Sequence, residues 1–173
     1  MIGYAAILLY AATIPAANWM IGNVGDCFAG PCLIPVGFGL YAPSGVILVG
    51  VALVLRDAVQ SLIGLRWSLA AIGIGAAVSF FVAPPALVAA SVVAFALSEM
   101  ADLSIYTPLR KRRLVLAVML SGLVGSAVDS AVFLWLAFGS LDYIAGQVVG
   151  KIWASAAAAL LLVAAGKNEW ASK

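Results

Sequence analysis

Charge is scarce in this sequence, and histidine is absent. Only 9% of the 173 residues are charged and 65% are hydrophobic, whereas a soluble globular chain carries about 25% charged and about 45–50% apolar residues. Without histidine the chain lacks the commonest metal ligand and the side chain that most readily exchanges protons near neutral pH. Its two cysteines have no second pair to complete a four-ligand metal site. We therefore expect neither a soluble domain nor an enzyme, and we predict no cofactor or metal.

Long apolar runs separated by short polar breaks fill most of the chain. A transmembrane helix needs about 20 apolar residues, so this length has room for about six. We predict an all-α polytopic integral membrane protein whose residues 1–173 form one domain. The Gly- and Pro-rich segment "GNVGDCFAGPCLIPVGFG" is expected to be a loop, and "APP" at residues 83–85 a tight turn. The predicted helices cover residues 2–20, 43–64, 67–83, 86–106, 114–138 and 143–165.

The basic residues outside these helices test the count of six. With six spans, the termini and the second and fourth loops share one side of the membrane, and all seven basic loop residues fall there. Cytoplasmic loops carry the excess of Lys and Arg, so both termini are predicted to be cytoplasmic. We interpret the cluster "RKRR" as a topology anchor and predict no nucleic-acid partner. The seven residues are Arg66, Arg110, Lys111, Arg112, Arg113, Lys167 and Lys173.

The two cysteines lie on the opposite side, in "CFAGPC". If that compartment is oxidising, a local disulfide between Cys27 and Cys32 is expected. Two small apolar side chains in a partly buried loop fit the same sequence. Both interpretations stay open at this point.

Six ionisable residues remain inside the predicted helices. A charge at the centre of a bilayer costs about 2.5–3.5 kcal/mol even on the mildest scale. We therefore expect these side chains to face the interior of the bundle and to form a polar cavity for a ligand or an ion. The alternative is a set of static ion pairs that only hold helices together. The six residues are Arg56, Asp57, Glu99, Asp102, Asp129 and Lys151.

Depth along each helix predicts two ion pairs. At about 1.5 Å per residue, Arg56 and Glu99 lie about 3 and about 5 Å to the cytoplasmic side of their helix midpoints. Asp129 and Lys151 each lie about 4 Å to the outer side. The predicted pairs are therefore Arg56–Glu99 and Asp129–Lys151. Asp57 is rotated about 100° from Arg56 and is expected to point away from it.

Helical spacing adds further polar residues to these stripes. Gln60 follows Arg56 by one turn, and Gln147 precedes Lys151 by one turn. Asp102 is expected near the cytoplasmic boundary, where it would contact only lipid headgroups. The candidate substrate-binding residues are Arg56, Gln60, Glu99, Asp102, Asp129, Gln147 and Lys151.

Four segments carry a resemblance to a known family: "VLRDAVQ", "LSEMADLSIYTPLRKR", "SGLVGSAVDSAVFLWLAFGS" and "GQVVGKIW". Together, over residues 43–155, they resemble the vitamin uptake transporter family, also called the queuosine precursor transporter family. The resemblance implies a six-helix protein of the bacterial cytoplasmic (inner) membrane that imports 7-deazaguanines such as 7-cyano-7-deazaguanine. Many family members carry Asp and Glu on an early helix, followed by Tyr-Gly. This chain has "RDAVQ" there, which indicates a divergent branch.

The predicted function is import of a small planar polar solute. A deazaguanine edge offers a ring N–H and an amino group to a carboxylate, and a carbonyl to a donor. We expect Glu99 to accept from that edge, while Arg56 with Gln60, or Gln147, donates to the carbonyl. Asp129 with Lys151 is the candidate gate or proton-coupling pair. The candidates for stacking on the flat face are Trp19, Phe95, Trp135 and Trp153.

Two other functions are compatible with the sequence. The chain could be the substrate-binding membrane subunit of an ATP-driven vitamin uptake system, with the Ala-rich first helix (Ala5, Ala12 and Ala16) against a partner. It could also be a non-transporting assembly protein whose ion pairs are structural. The expected partners are the small-molecule substrate, the lipid bilayer and, as an open question, a second copy of the chain.

Overall fold

The structure is a computed structural model that describes residues 2–28, 31–83 and 88–164. Within these ranges the chain forms six α-helices and one two-stranded hairpin. In chain order the elements are α1 (Ile2–Asn23), β1 (Leu33–Gly37), β2 (Leu40–Pro43), α2 (Val46–Ile63), α3 (Leu65–Val82), α4 (Val88–Leu109), α5 (Leu114–Phe138) and α6 (Ile144–Ala164).

All six helices are long and apolar enough to cross a membrane. This confirms the predicted all-α polytopic class, and the helix ends within the described residues differ from the predicted ones by at most three positions. The prolines at positions 84 and 85 of the predicted turn lie outside the described residues, as do Lys167 and Lys173. The apolar runs therefore predicted the spans, while the exact ends depend on local capping.

Helix α2 lies at the centre of the bundle. It packs against each of the other five helices, and its buried residues include Arg56, Asp57 and Gln60. The lipid-facing surface is apolar instead, with Leu8 72% and Phe81 81% exposed. Lipid offers no hydrogen bonds, so charged groups on α2 must find their partners inside the bundle.

The segment between α1 and α2 was predicted to be a loop, but in the structure it forms a hairpin. Strands β1 and β2 pair antiparallel. The connecting turn places Gly37, Phe38 and Gly39 at positive φ (101°, 55° and 74°). Glycine adopts this region without steric cost, whereas a bulky residue such as Phe38 rarely does. Pro35 and the glycines made the segment look like a loop, although proline is tolerated in edge strands.

The hairpin sits across one end of the bundle, between α1 and α6. Ser44 Oγ donates to the Met20 carbonyl at 2.6 Å. Trp153 Nε1 on α6 donates to the Val36 carbonyl at 2.9 Å. We call this end the hairpin end. The opposite end carries the basic loop after α4, with Arg110 to Arg113, and we call it the basic end.

A disulfide joins Cys27 to Cys32, which decides between the two interpretations that the sequence left open. The bond precedes β1, and the Cys32 backbone N–H donates to the Ile21 carbonyl at 2.8 Å. Disulfides persist in oxidising compartments. The bond therefore fits the predicted topology, in which the hairpin end faces away from the cytoplasm.

Removing the disulfide should loosen the hairpin. We expect the C27S/C32S variant to lose about 2 kcal/mol of unfolding free energy, because the bond closes a short loop in the unfolded chain. Thermal unfolding in detergent, with and without reductant, measures the loss. Reductant should lower the stability of the wild type and leave the double variant unchanged. Equal stability of the two proteins under oxidising conditions would contradict this.

Candidate functional site

Arg56 lies at the centre of a buried polar network that joins α2 to α4. Its Nε donates to Glu99 Oε2 at 3.1 Å, and its Nη1 lies 2.9 Å from Asp57 Oδ1. Its Nη2 contacts Asp102, and Nη1 also donates to Gln60 Oε1 at 3.3 Å. One guanidinium thus meets three carboxylates and an amide. We call these five residues the Arg56 network.

Residues from other elements extend the Arg56 network to α1 and α5. Tyr10 on α1 donates its hydroxyl to Glu99 Oε1 at 3.2 Å. Ser121 on α5 donates to Asp57 Oδ2 at 3.2 Å. The network therefore ties together the parts of four helices that lie toward the basic end.

A second cluster joins α5 to α6. Lys151 Nζ donates to Asp129 Oδ2 at 2.6 Å, to Ser130 Oγ at 2.7 Å and to Gln147 Oε1 at 2.8 Å. An ammonium has three donors, and here each has an acceptor. We call these four residues the Lys151 cluster.

The Lys151 cluster opens onto a cavity inside the bundle. All six helices contribute to its wall, which is mostly apolar. Pro43 of β2 and Gly45 place the cavity toward the hairpin end. The lining residues are Thr13, Ile14, Ala17, Asn18, Ile21, Pro43, Gly45, Val46, Leu48, Val49, Ala52, Ser79, Ser91, Phe95, Asp129, Phe133, Gln147 and Lys151.

The Arg56 network lies beneath this cavity. Ala52 lines the cavity and precedes Arg56 by one turn of α2, and Phe95 lines it and precedes Glu99 by one turn of α4. The Tyr10 ring packs on Phe95, with the ring centroids 6.1 Å apart. Phe95 and Tyr10 thus form a floor that separates the cavity from the Arg56 network.

The predicted site residues therefore fall into two groups. The Lys151 cluster contains Asp129, Gln147 and Lys151, all of which line the cavity. None of the described residues that line this cavity belongs to the Arg56 network. The predicted site residues in that network are Arg56, Gln60, Glu99 and Asp102.

Two predicted contacts are confirmed and two are wrong. Arg56–Glu99 and Asp129–Lys151 both form, as depth along the helices indicated. Asp57 was expected to point away from Arg56, yet it pairs with it, because an arginine side chain is long enough to reach its neighbour. Asp102 was expected at the headgroups, yet it is fully buried and contacts Arg56.

Sequence reasoning missed several residues of the site. Tyr10, Ser121 and Ser130 all bond to predicted residues, but single tyrosines and serines are common in membrane helices. Among the four stacking candidates only Phe95 lines the cavity. Trp19, Trp135 and Trp153 are 61%, 62% and 52% exposed. Tryptophan is frequent at membrane interfaces, which explains why it was a poor signal for the site.

Close approach of α2 to α6 positions Lys151. A Cβ added at Gly50 would lie 2.8 Å from the Lys151 carbonyl oxygen and 3.0 Å from Ala154 Cβ. Small residues let transmembrane helices approach at this distance. The glycine therefore determines where α6 holds the ammonium of Lys151.

Gly50→Ala should therefore displace Lys151. We expect a loss of about 1–3 kcal/mol of unfolding free energy, because α2 and α6 must separate. Thermal unfolding in detergent measures the loss. Gly73→Ala is the matched control, since nothing lies within 4 Å of a Cβ added there. If both variants match the wild type, the contact does not constrain α6.

Fold and site together define a multi-pass membrane protein with a largely apolar cavity inside its helical bundle and one ionic cluster in the cavity wall. The chain belongs to the family described as "Putative vitamin uptake transporter", which matches residues 5–165. No curated protein and no solved structure matches the chain. Membership confirms the resemblance drawn from the sequence motifs and supports a transport function.

Proposed function

We propose that this protein imports a small planar polar solute, a 7-deazaguanine precursor of queuosine, across the bacterial cytoplasmic membrane. The observation that carries the proposal is the cavity, which combines an apolar wall with one ionic cluster at its side. Family membership supports transport. In this proposal the hairpin end faces outward and the solute enters the cavity from there.

The Lys151 cluster suits the edge of a deazaguanine. The ring N–H and the amino group lie side by side and can donate to the two oxygens of one carboxylate, here Asp129. The amide nitrogen of Gln147, whose oxygen accepts from Lys151, then donates to the carbonyl of the base. Asp129 is the more accessible member of its ion pair, with its side chain 13% exposed against 1% for Lys151. It is therefore the group that a solute reaches first.

Two phenylalanines supply the flat surface that the base needs. Phe95 and Phe133 both line the cavity, and aromatic rings pack well against planar rings. Gly75 leaves room for Phe95, since a Cβ there would lie 2.5 Å from the tip of its ring. In this proposal Asp129 accepts from the donor edge of the base, whereas the sequence had indicated Glu99 for that role. Glu99 already accepts from Arg56 and Tyr10.

Uptake of labelled 7-cyano-7-deazaguanine tests the proposal. The assay uses a bacterial host that lacks its own importer and expresses this chain alone. We expect uptake with the wild type, and loss of at least tenfold with Asp129→Asn, which corresponds to about 1.4 kcal/mol of lost binding. Uptake by the chain alone would exclude an obligatory ATP-driven partner.

Asp142→Asn is the matched control, because Asp142 is exposed in the loop between α5 and α6. Western blotting of membranes must show equal amounts of each variant. No uptake by the wild type, or full uptake by Asp129→Asn, would contradict the proposal.

A further inference from the structure

We infer that the Arg56 network is a proton-binding site, and, on the basis of the proposed function, that it couples solute import to proton entry. Acidic side chains outnumber basic ones in the network. Asp57, Glu99 and Asp102 all contact the one guanidinium of Arg56. With every carboxyl ionised, the network would carry two uncompensated negative charges.

These charges are shielded from water. Arg56 and Asp102 are fully buried, Glu99 is 1% exposed and Asp57 is 3% exposed. Removing an uncompensated ion from water costs several kcal/mol. Two of them in the interior of a membrane protein require positive charge from another source.

The neighbouring helices do not supply this charge among the described residues. Tyr10 on α1, Tyr106 on α4 and Ser121 on α5 face the network, and none of them is a cation. Arg110 is partly exposed, and its Nη1 donates to the Gln60 backbone carbonyl. The ammonium of Lys151 on α6 is occupied within its own cluster.

Asp102 provides a second, independent observation. Its Oδ1 has neither a hydrogen-bond nor an ion-pair partner within the described residues, although the residue is fully buried. A buried polar atom without a partner is costly. A protonated carboxyl carries no charge and costs less to bury without a partner than a carboxylate does, so bound protons answer the missing positive charge and lower the cost of the unpartnered oxygen.

A proton also fits the available space. The described lining of the cavity does not include the Arg56 network, so a solute in this cavity does not contact it, and the described residues contain no group of three or more His, Cys, Asp or Glu side chains that could hold a metal ion. We therefore identify the ligands of the network as protons, shared among its three carboxyls.

Because the Arg56 network lies beneath the cavity, binding and release of a proton in the network can control access to the cavity. The network ties α1, α2, α4 and α5 together on the side of the floor that faces the basic end. Loss of a proton toward the basic end leaves like charges around one guanidinium, and their repulsion favours separation of these helices. The cavity can then open to that side, and a proton taken up from the hairpin end restores the closed form.

Infrared spectroscopy of the purified protein in lipid tests the proton site without any solute. A protonated carboxyl has a carbonyl stretch distinct from that of a carboxylate. We expect this band in the wild type at neutral pH, and a smaller band after Asp57→Asn, Glu99→Gln or Asp102→Asn. Asp142→Asn should leave it unchanged. Absence of the band from the wild type would overturn the inference even if the variants fail to fold.

Liposomes that contain the protein test the coupling. One pH unit, acid outside, should raise accumulation of labelled 7-cyano-7-deazaguanine about tenfold for each proton coupled. In Asp102→Asn the ratio of uptake with the gradient to uptake without it should fall to one. Exchange of solute in the wild type without any response to the gradient would overturn the coupling. Absence of exchange would instead contradict the proposed function.

Discussion

Replacing Arg56 by alanine should lower the free energy of unfolding by about 3–5 kcal/mol, because it leaves three buried carboxyls without their cation. The guanidinium also lies over the Tyr106 ring, 5.5 Å from its centroid, and that packing is lost as well. The penalty should shrink at acidic pH, where the carboxyl that the guanidinium neutralises in the wild type takes up a proton instead. Titration with a denaturing detergent, followed by circular dichroism at two pH values, measures both effects.

Two companion variants separate charge from shape at this position. Arg56→Lys keeps the charge but cannot reproduce contacts made by three different nitrogens of a planar fork, so it should recover only part of the stability. Arg66→Ala removes an exposed arginine and should change stability by less than about 0.5 kcal/mol. If Arg56→Ala is as stable as the wild type, the ion pairs between the guanidinium and the three carboxyls do not stabilise the protein.

The helices were predictable because a segment that spans a lipid bilayer must be a long run of apolar residues. A run of about 20 apolar residues is needed to span a bilayer, and the sequence interrupts such runs clearly. The hairpin lacks this regularity. Its pairing depends on a turn with three residues at positive φ and on the anchor from Trp153, which is 117 residues away from its acceptor Val36. Such long-range contacts leave little trace in local sequence.

The charged pairs were predictable for a similar reason. Depth along a helix follows from residue number alone, and it matched Arg56 with Glu99 and Asp129 with Lys151. Rotation of each helix about its own axis and the reach of each side chain do not follow from residue number. These determine that Asp102 meets Arg56, and that Phe95 and Tyr10 divide the polar stripes into two sites where the sequence indicated a single cavity.

Lys151→Met should abolish uptake and lower stability by about 3 kcal/mol, because Asp129 then remains in the cavity wall without its cation. The effect on stability and the effect on transport have different causes, and a double variant separates them. Adding Asp129→Asn removes the unpaired charge, so the stability of Lys151→Met/Asp129→Asn should return to within about 1 kcal/mol of the wild type. Uptake should stay lost, because the solute then has no carboxylate to accept from its donor edge.

The measurements are unfolding in detergent and uptake of labelled 7-cyano-7-deazaguanine, on the two single variants, the double variant and the wild type. Lys111→Met removes an exposed lysine at the basic end and should alter neither quantity. If the double variant is stable and transports like the wild type, the Asp129–Lys151 pair has only a structural role. Solute recognition would then rest with other groups of the cavity wall, such as Asn18, Ser79 or Gln147.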